Sequence, residues 1–293
     1  MKSPGISIVI STYGRTGYLQ NLISSVRSST PQDAYEFVVV SSDPPESEKI
    51  KWLQRQKDID LILADVRKEW QLRKRSAYYY INLGIKSSKK EWAFVVSDDM
   101  YFDKDWYKEF ANLASDPKNY NVGAIIVSTH LGKVKYGRRI YKIGKTRKKG
   151  GEWRDLYLAD LSIISRETFD KIGLFDERID WYGGGADISL AIQFLTEKDI
   201  IASEKIKVDH AIAKENRSST IGNEFTGFNY IIRKWNKWCK ENNCQYIWDP
   251  GVKPYTIPNR IENYLRNRVR ILRHYIRYAV KKGSGFFSSL PKK

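Results

Sequence analysis

The sequence predicts an α/β fold, in which a mostly parallel central sheet is flanked by helices, and three observations carry that prediction. Short apolar segments alternate with stretches of helical periodicity along the first two thirds of the chain. The apolar segment Trp92 to Val96 runs straight into the adjacent acids Asp98 and Asp99, which places carboxylates at the carboxyl edge of a sheet, where open α/β folds bind ligands. A hydrophobic content of 41% and a mean hydropathy of -0.54 describe a water-soluble globular chain rather than an integral membrane protein.

Taken in order, Gly5 to Thr12 reads as a strand, and Thr16 to Ser28 as a helix whose Leu19, Leu22, Ile23 and Val26 fall on one face. Tyr35 to Val40 is a second strand, Lys49 to Gln56 a helix and Asp60 to Ala64 a third strand. The helix Arg75 to Ser88 feeds the strand Trp92 to Val96. Asp105 to Ala114 is helical and Val122 to Ser128 is a fifth strand. The basic, glycine-punctuated stretch Gly132 to Arg154 suggests a hairpin or a mobile loop. Leu156 to Ser165 reads as one strand, Arg166 to Ile172 as a short helix and Gly183 to Gly185 as a flexible triplet. A helix from Asp187 to Thr196 and a strand around Ile206 to His210 follow. The expected organisation is a catalytic domain over residues 1–225 and a helical C-terminal region over 226–293 ending in a basic amphipathic tail.

Charge points to an anionic partner. The 51 basic and 34 acidic residues leave a net +17. From Tyr255 to Lys293 ten Lys or Arg face a single Glu, so the tail alone holds +9. Within it Ile261, Leu265, Val269, Leu272, Ile276 and Val280 form one helical stripe beside Arg266, Arg270, Arg273 and Arg277. That pattern fits a helix laid on an anionic membrane surface, or one packed on the catalytic domain with its arginines solvated. The amino terminus is too polar after Ile10 for a secretory signal, so a cytoplasmic protein, peripheral on the inner face of the cell membrane, is expected. Cys239 and Cys244 match no zinc or disulfide spacing and read as free thiols.

The opening segment SIVISTYGRTGYLQNLISSV resembles the first strand, loop and helix of the family 2 inverting glycosyltransferases, which have the GT-A nucleotide-binding fold. EFVVVSSDPP, INLGIKSSKKEWAFVVSDDMYF, SIISRETFDKIGLFDERIDWYGGGADISLAI and VDHA agree with that family in order and spacing. The set spans Ile6 to His210, about seventy per cent of the chain.

The resemblance implies that Thr12, Tyr13 and Arg15 contact the nucleotide of a UDP-sugar donor. Ser41 and Ser42, with Asp43 beyond, stand where the family commonly has an acid that reads the base. Arg75 corresponds to a further nucleotide contact. Ser97-Asp98-Asp99 occupies the place of the D-x-D motif: Asp98 is expected on the ribose or the metal's water shell, and Asp99 on Mn²⁺ or Mg²⁺ together with His210. Asp187 falls on the position of the catalytic base, with Ala186 and Ser189 replacing neighbouring family acids. Trp181 and Tyr182 offer aromatic faces to the sugar or the acceptor. Lys145, Arg147, Lys148 and Lys149 are placed to close over a diphosphate or engage an anionic acceptor, or to form a solvated face.

The implied function is transfer of a sugar from a nucleotide-sugar donor to a glycan or lipid-linked acceptor. The alternatives are a basic nucleic-acid-binding module, against which the lack of a recognition motif counts, and a catalytically silent GT-A binding protein.

Overall fold

The computed structural model describes residues 3–64, 76–131, 140–179, 183–210 and 224–249. Eight strands form one sheet in the order β3-β2-β1-β4-β9-β6-β10-β5, where β1 is Ile6–Thr12, β2 Tyr35–Ser41, β3 Ile59–Leu63, β4 Trp92–Ser97, β5 Met100–Phe102, β6 Val122–Leu131, β9 Ser162–Ser165 and β10 Asp199–His210. Pairing is parallel from β3 through β4 and between β6 and β10; β9 runs antiparallel to both of its neighbours, and β5 antiparallel to β10. A smaller antiparallel sheet joins β7 (Lys142–Arg147), β8 (Arg154–Tyr157) and β11 (Gln245–Trp248) in the order β11-β7-β8.

The central strands are apolar on both faces because both faces are covered. In β1, Ile6, Ile8 and Ile10 point into one core and Val9 into the other. The first core takes Leu19, Leu22, Ile23 and Val26 from α1 (Thr16–Ser29), Ile50 and Leu53 from α2 (Glu48–Gln54), and Trp106 and Phe110 from α4 (Trp106–Ser115). The second takes Tyr78 and Ile85 from α3 (Ala77–Ser87), Phe169 from α5 (Arg166–Ile172), Ile188, Leu190 and Ile192 from α6 (Gly184–Leu195), and Trp235 from α7 (Glu224–Asn242). Ser47 starts α2 and Ser165 starts α5 by accepting the N–H three residues on, which satisfies a donor the helix cannot. Among the described residues no helix is long and apolar enough to cross a membrane.

Three features depart from the sequence expectation. Leu156 to Ser165 is two strands, β8 in the small sheet and β9 in the large one, separated by a break that leaves Asp160 exposed. The glycines at 183–185 are buried: Gly183, at φ 103°, caps α6, and Gly184 and Gly185 form its first turn. Past Asp98 and Asp99 the chain continues into β5, which pairs with β10, and β10 itself begins at Asp199 rather than near Ile206. Of the two forms expected of the basic stretch, its described part takes the hairpin, β7–β8, to which β11 adds a strand.

Candidate active site

The chain builds β1, β2 and β3 outward and then returns to place β4 on the other side of β1, so the carboxyl ends of β1, β2 and β4 flank a topological switch point. Thr12 ends β1, Ser41 ends β2 with Asp43 just beyond, and Ser97 ends β4 ahead of Asp98 and Asp99.

A buried polar chain links these ends. Ser41 Oγ donates to Asp43 Oδ2 at 2.7 Å, and Asp43 Oδ1 accepts the Gly14 N–H at 2.9 Å, which ties the β1 loop to β2. Lys49 of α2, 4% exposed, donates to Asp43 Oδ2 and to Thr12 Oγ1, both at 2.7 Å. Thr12 in turn donates to Asp98 Oδ2 at 2.7 Å. Arg15 Nη2 lies 2.6 Å from Asp98 Oδ1, an ion pair off the line that a hydrogen bond needs, and Nη1 reaches Asp99 Oδ2 at 3.2 Å. Ser97 Oγ closes the chain on Asp99 Oδ1 at 2.5 Å. Three carboxylates against two cations leave this edge one negative charge in excess.

Burial dominates the electrostatics. It pushes the Asp98 carboxyl up, against the opposing pull of Arg15 and the Thr12 hydroxyl, and it pushes Lys49 down, against the charge of Asp43. Tyr13 remains half exposed at the mouth of the loop.

The antiparallel register sets His210 opposite Met100, the residue after Asp99, so the end of β10 arrives beside the acid turn. The described part of His210 is its backbone; Arg75, Trp181 and Tyr182 lie outside the described residues, as does the tail beyond residue 249. Among the described residues no group of three or more His, Cys, Asp or Glu side chains surrounds a metal position. The donors at this turn nonetheless suit a hard divalent cation: carboxylate oxygen at Asp99, with residue 210 brought next to it by register. Arg15 supplies the compensating charge, and its contact to Asp99 is the longer of its two.

Asp187 sits in the first turn of α6, 3% exposed. Its Oδ1 accepts the Trp235 indole N–H at 2.7 Å, and its Oδ2 accepts Lys234 Nζ at 2.8 Å. Burial raises its carboxyl, while the Lys234 charge and these two bonds oppose the rise. Ala186 and Ser189 are buried beside it. Lys234 also bonds Asp176 Oδ2 at 3.1 Å, and the Tyr230 hydroxyl donates to the same oxygen at 2.8 Å.

Of the four basic residues expected near a diphosphate, Arg147 and Lys148 have partners, and Lys145 and Lys149 are exposed. Lys148 bonds Glu197 and the Thr196 carbonyl, and Arg147 lies over the Trp153 ring and bonds Gln245.

Lys49, Lys234, Trp235 and Asp160 escaped the sequence reading. Lys49 and Lys234 look like solvated helix positions, and Trp235 looks like ordinary core. Asp160 was concealed inside a segment that reads as one strand. The break in its alternation, after the apolar Leu158 and Ala159, was the available signal.

A three-layer α/β sandwich with an acid pair at the end of β4, beside a loop carrying Arg15, is the GT-A fold of nucleotide-sugar transferases. The chain belongs to glycosyl transferase family 2, whose sequence pattern matches residues 7–173. No curated protein sequence matches it. Among solved structures it is similar to S. aureus TarS 1-349 in complex with UDP-GlcNAc, at 12% identity and TM-score 0.60 over 78% of this chain and 66% of that one. It is similar to GalNAc-T7 with UDP, GalNAc and Mn²⁺, at 14% identity and TM-score 0.60 over 83% and 55%. A third likeness is the mannosyltransferase PcManGT from Pyrobaculum calidifontis in complex with GDP-Man and Mn²⁺, at 14% identity and TM-score 0.54 over 80% and 65%. The chain therefore spans two thirds or less of the length of each of these proteins.

Proposed function

We propose that the protein is a metal-dependent inverting glycosyltransferase, which moves a sugar from a UDP-sugar to a glycan or lipid-linked acceptor at the cytoplasmic face of a membrane. The observation that carries this reading is the acid pair Asp98-Asp99, held by Thr12 and Arg15 at the switch point of a family 2 scaffold. Tyr13 and Asp43 frame the nucleoside, with Arg75 as a further contact. Asp98 receives the ribose, and Arg15 swings between the acids and the diphosphate.

Asp99 and His210 would hold Mn²⁺ or Mg²⁺. When bound, the cation takes up charge that develops on the leaving diphosphate. Arg15 then turns its guanidinium toward the phosphate oxygens, a planar fork suited to them. Trp181 and Tyr182, which precede α6, supply apolar faces for the sugar and acceptor rings. An acceptor hydroxyl attacks the anomeric carbon opposite the diphosphate, and a single displacement inverts the configuration. The expected base, Asp187, can take the hydroxyl's proton only after it exchanges its bonds to Lys234 and Trp235. The Arg-rich stripe of the tail supports contact with anionic lipid.

The test is release of nucleoside diphosphate from a panel of nucleotide sugars with Mn²⁺, using Asp99→Ala as control. Release from one donor that disappears in the variant is expected. Silence across the panel together with no UDP binding by calorimetry would overturn the reading. For the membrane contact, deletion after Pro258 should abolish binding to anionic liposomes, and undiminished binding would refute it.

A further inference from the structure

The break between β8 and β9 brings a carboxylate to the candidate active site that the family resemblance does not assign. β9 runs antiparallel to β4 and β6, with Phe94 opposite Ile163 and Ile126 opposite Ser162. β9 begins two residues after Asp160, and because it runs antiparallel to β4 its start lies toward the carboxyl end of β4. Asp160 thus stands at the carboxyl edge of the sheet that carries Asp98 and Asp99, against the first turn of α6.

The α6 amino terminus is built to receive it. The Gly185 N–H donates to Asp160 Oδ1 at 2.8 Å, and the Ala159 N–H donates to the Gly185 carbonyl at 3.2 Å. A Cβ at Gly185 would lie 2.5 Å from Asp160 Oδ1 and 2.3 Å from the Asp160 backbone nitrogen. A Cβ at Gly184 would lie 2.2 Å from the Tyr78 hydroxyl, which accepts the Gly184 N–H at 3.1 Å. The glycines thus let Asp160 and Tyr78 close on the helix end, and the Asp160 carboxylate fills the space that a side chain at 185 would occupy.

The two carboxylates at this helix end differ in availability. Asp187 is buried, with one oxygen on a lysine and the other on an indole N–H. Asp160 is exposed, and among the described residues the Gly185 N–H is its hydrogen-bond donor. Its carboxylate packs against the α6 turn through Gly185, and desolvation raises it to about 6, against the lowering effect of the Gly185 bond. From α3 the titratable group that faces it is Tyr78, itself pushed well above its ordinary range by burial; from α6 the residue packed against it is Gly185.

We propose that Asp160, through Oδ2, is the general base of the transfer reaction, an assignment that rests on the glycosyl-transfer reading above. The acceptor oxygen forms its bond to the anomeric carbon as the bond from that carbon to the diphosphate oxygen breaks. The electron pair leaves with the nucleoside diphosphate, and the hydroxyl proton passes to Asp160 Oδ2, which later returns it to solvent. Asp187 is a positioning residue that fastens α7 to the first turn of α6.

The test uses the full chain with Mn²⁺ and the nucleotide-sugar panel, with water as acceptor, and compares wild type, Asp160→Asn and Asp187→Asn. A general base contributes typically 10²–10⁴-fold, so D160N should lose about that much in kcat while its UDP affinity and donor KM stay within about threefold. The wild-type rate should climb with pH through about 6. This climb should vanish in D160N and survive in D187N. A residue that merely capped α6 would lower the melting temperature and leave the pH profile unmoved. Should D160N fail to bind UDP, Asp160→Glu decides: a carboxylate displaced by one methylene must lower kcat and keep the acid limb, and an unchanged kcat overturns the assignment. Active wild type with D160N within about threefold of it overturns the base assignment alone. Inactive wild type across the panel overturns the transfer reading and this assignment with it.

Discussion

Replacing Asp187 with alanine removes the one group that joins α6 to α7 by charge, and the structure sets the size of the loss. The Trp235 indole N–H, on a side chain 1% exposed, loses its acceptor with no water to take its place. Lys234, about 29% exposed, keeps Asp176 as a partner at 3.1 Å. A hydrogen bond to a charged group is worth about 1.5–3 kcal/mol, with the indole at the upper end and the half-compensated lysine at the lower, or below it. The sum expected is about 3–4 kcal/mol. For a domain of this size that lowers the melting temperature by roughly 6–16 °C. Urea unfolding followed by tryptophan fluorescence, with calorimetry alongside, measures it. A double-mutant cycle with Lys234→Met apportions the ion pair, for which a coupling of about 1 kcal/mol is expected. A loss below about 1 kcal/mol for Asp187→Ala, at unchanged denaturant slope, would refute the claim that this carboxylate holds the two helices together.

Three further outcomes follow from buried contacts. Lys49→Met strands the Asp43 carboxylate in the polar chain and should cost about 3–5 kcal/mol in guanidinium unfolding; a loss under about 1 kcal/mol would show that water enters the chain. Gly84→Ala should destabilise by about 1–3 kcal/mol although alanine is the better helix former, because its Cβ would meet Val9 Cγ1 at 2.5 Å where α3 lies on β1; a neutral or stabilising result would show that the helix can shift. Burial pushes the Asp176 carboxyl up, but hydrogen bonds from Arg178 and Tyr230 and the charge on Lys234 outweigh it and hold the group well below the usual range. Its stabilising contribution is therefore complete above about pH 5 and lost as pH falls toward the folded-state value. Asp176→Asn should flatten the loss of stability between pH 5 and 2, and parallel curves for variant and wild type would contradict this.

Much of the architecture was legible because it follows from periodicity. Leu19, Leu22, Ile23 and Val26 fix the buried face of α1, and the doubly apolar runs of β1, β2 and β4 announce central strands. The segment 156–165 misled because Leu156, Ile163 and Ile164 are all buried, yet on strands of different sheets, and pattern alone cannot divide a run that changes sheet. The glycine triplet misled for a different reason. Glycine permits flexibility in isolation, but here its missing side chains admit Tyr78 and Asp160, partners 106 and 25 residues away. The candidate site was legible where it sits at strand ends, in Thr12, Asp43, Asp98 and Asp99. It was not legible where helices supply the partners, because Lys49 and Lys234 carry no local mark of burial or pairing.

The clasp between α6 and α7 also orders events during synthesis. Forty-seven residues separate Asp187 from Lys234. At about 5–20 residues per second the ribosome needs roughly 2–10 s to make that stretch, and longer before Lys234 clears the exit tunnel. During that interval β1 to β4 are already available to pair, and the first turn of α6 carries its carboxylate without either of its eventual partners. The strands that carry Thr12, Asp98 and Asp99 can therefore pair well before the first turn of α6 is electrostatically complete, and a pause or a premature stop in this window would leave a paired sheet beside a buried carboxylate without its partners.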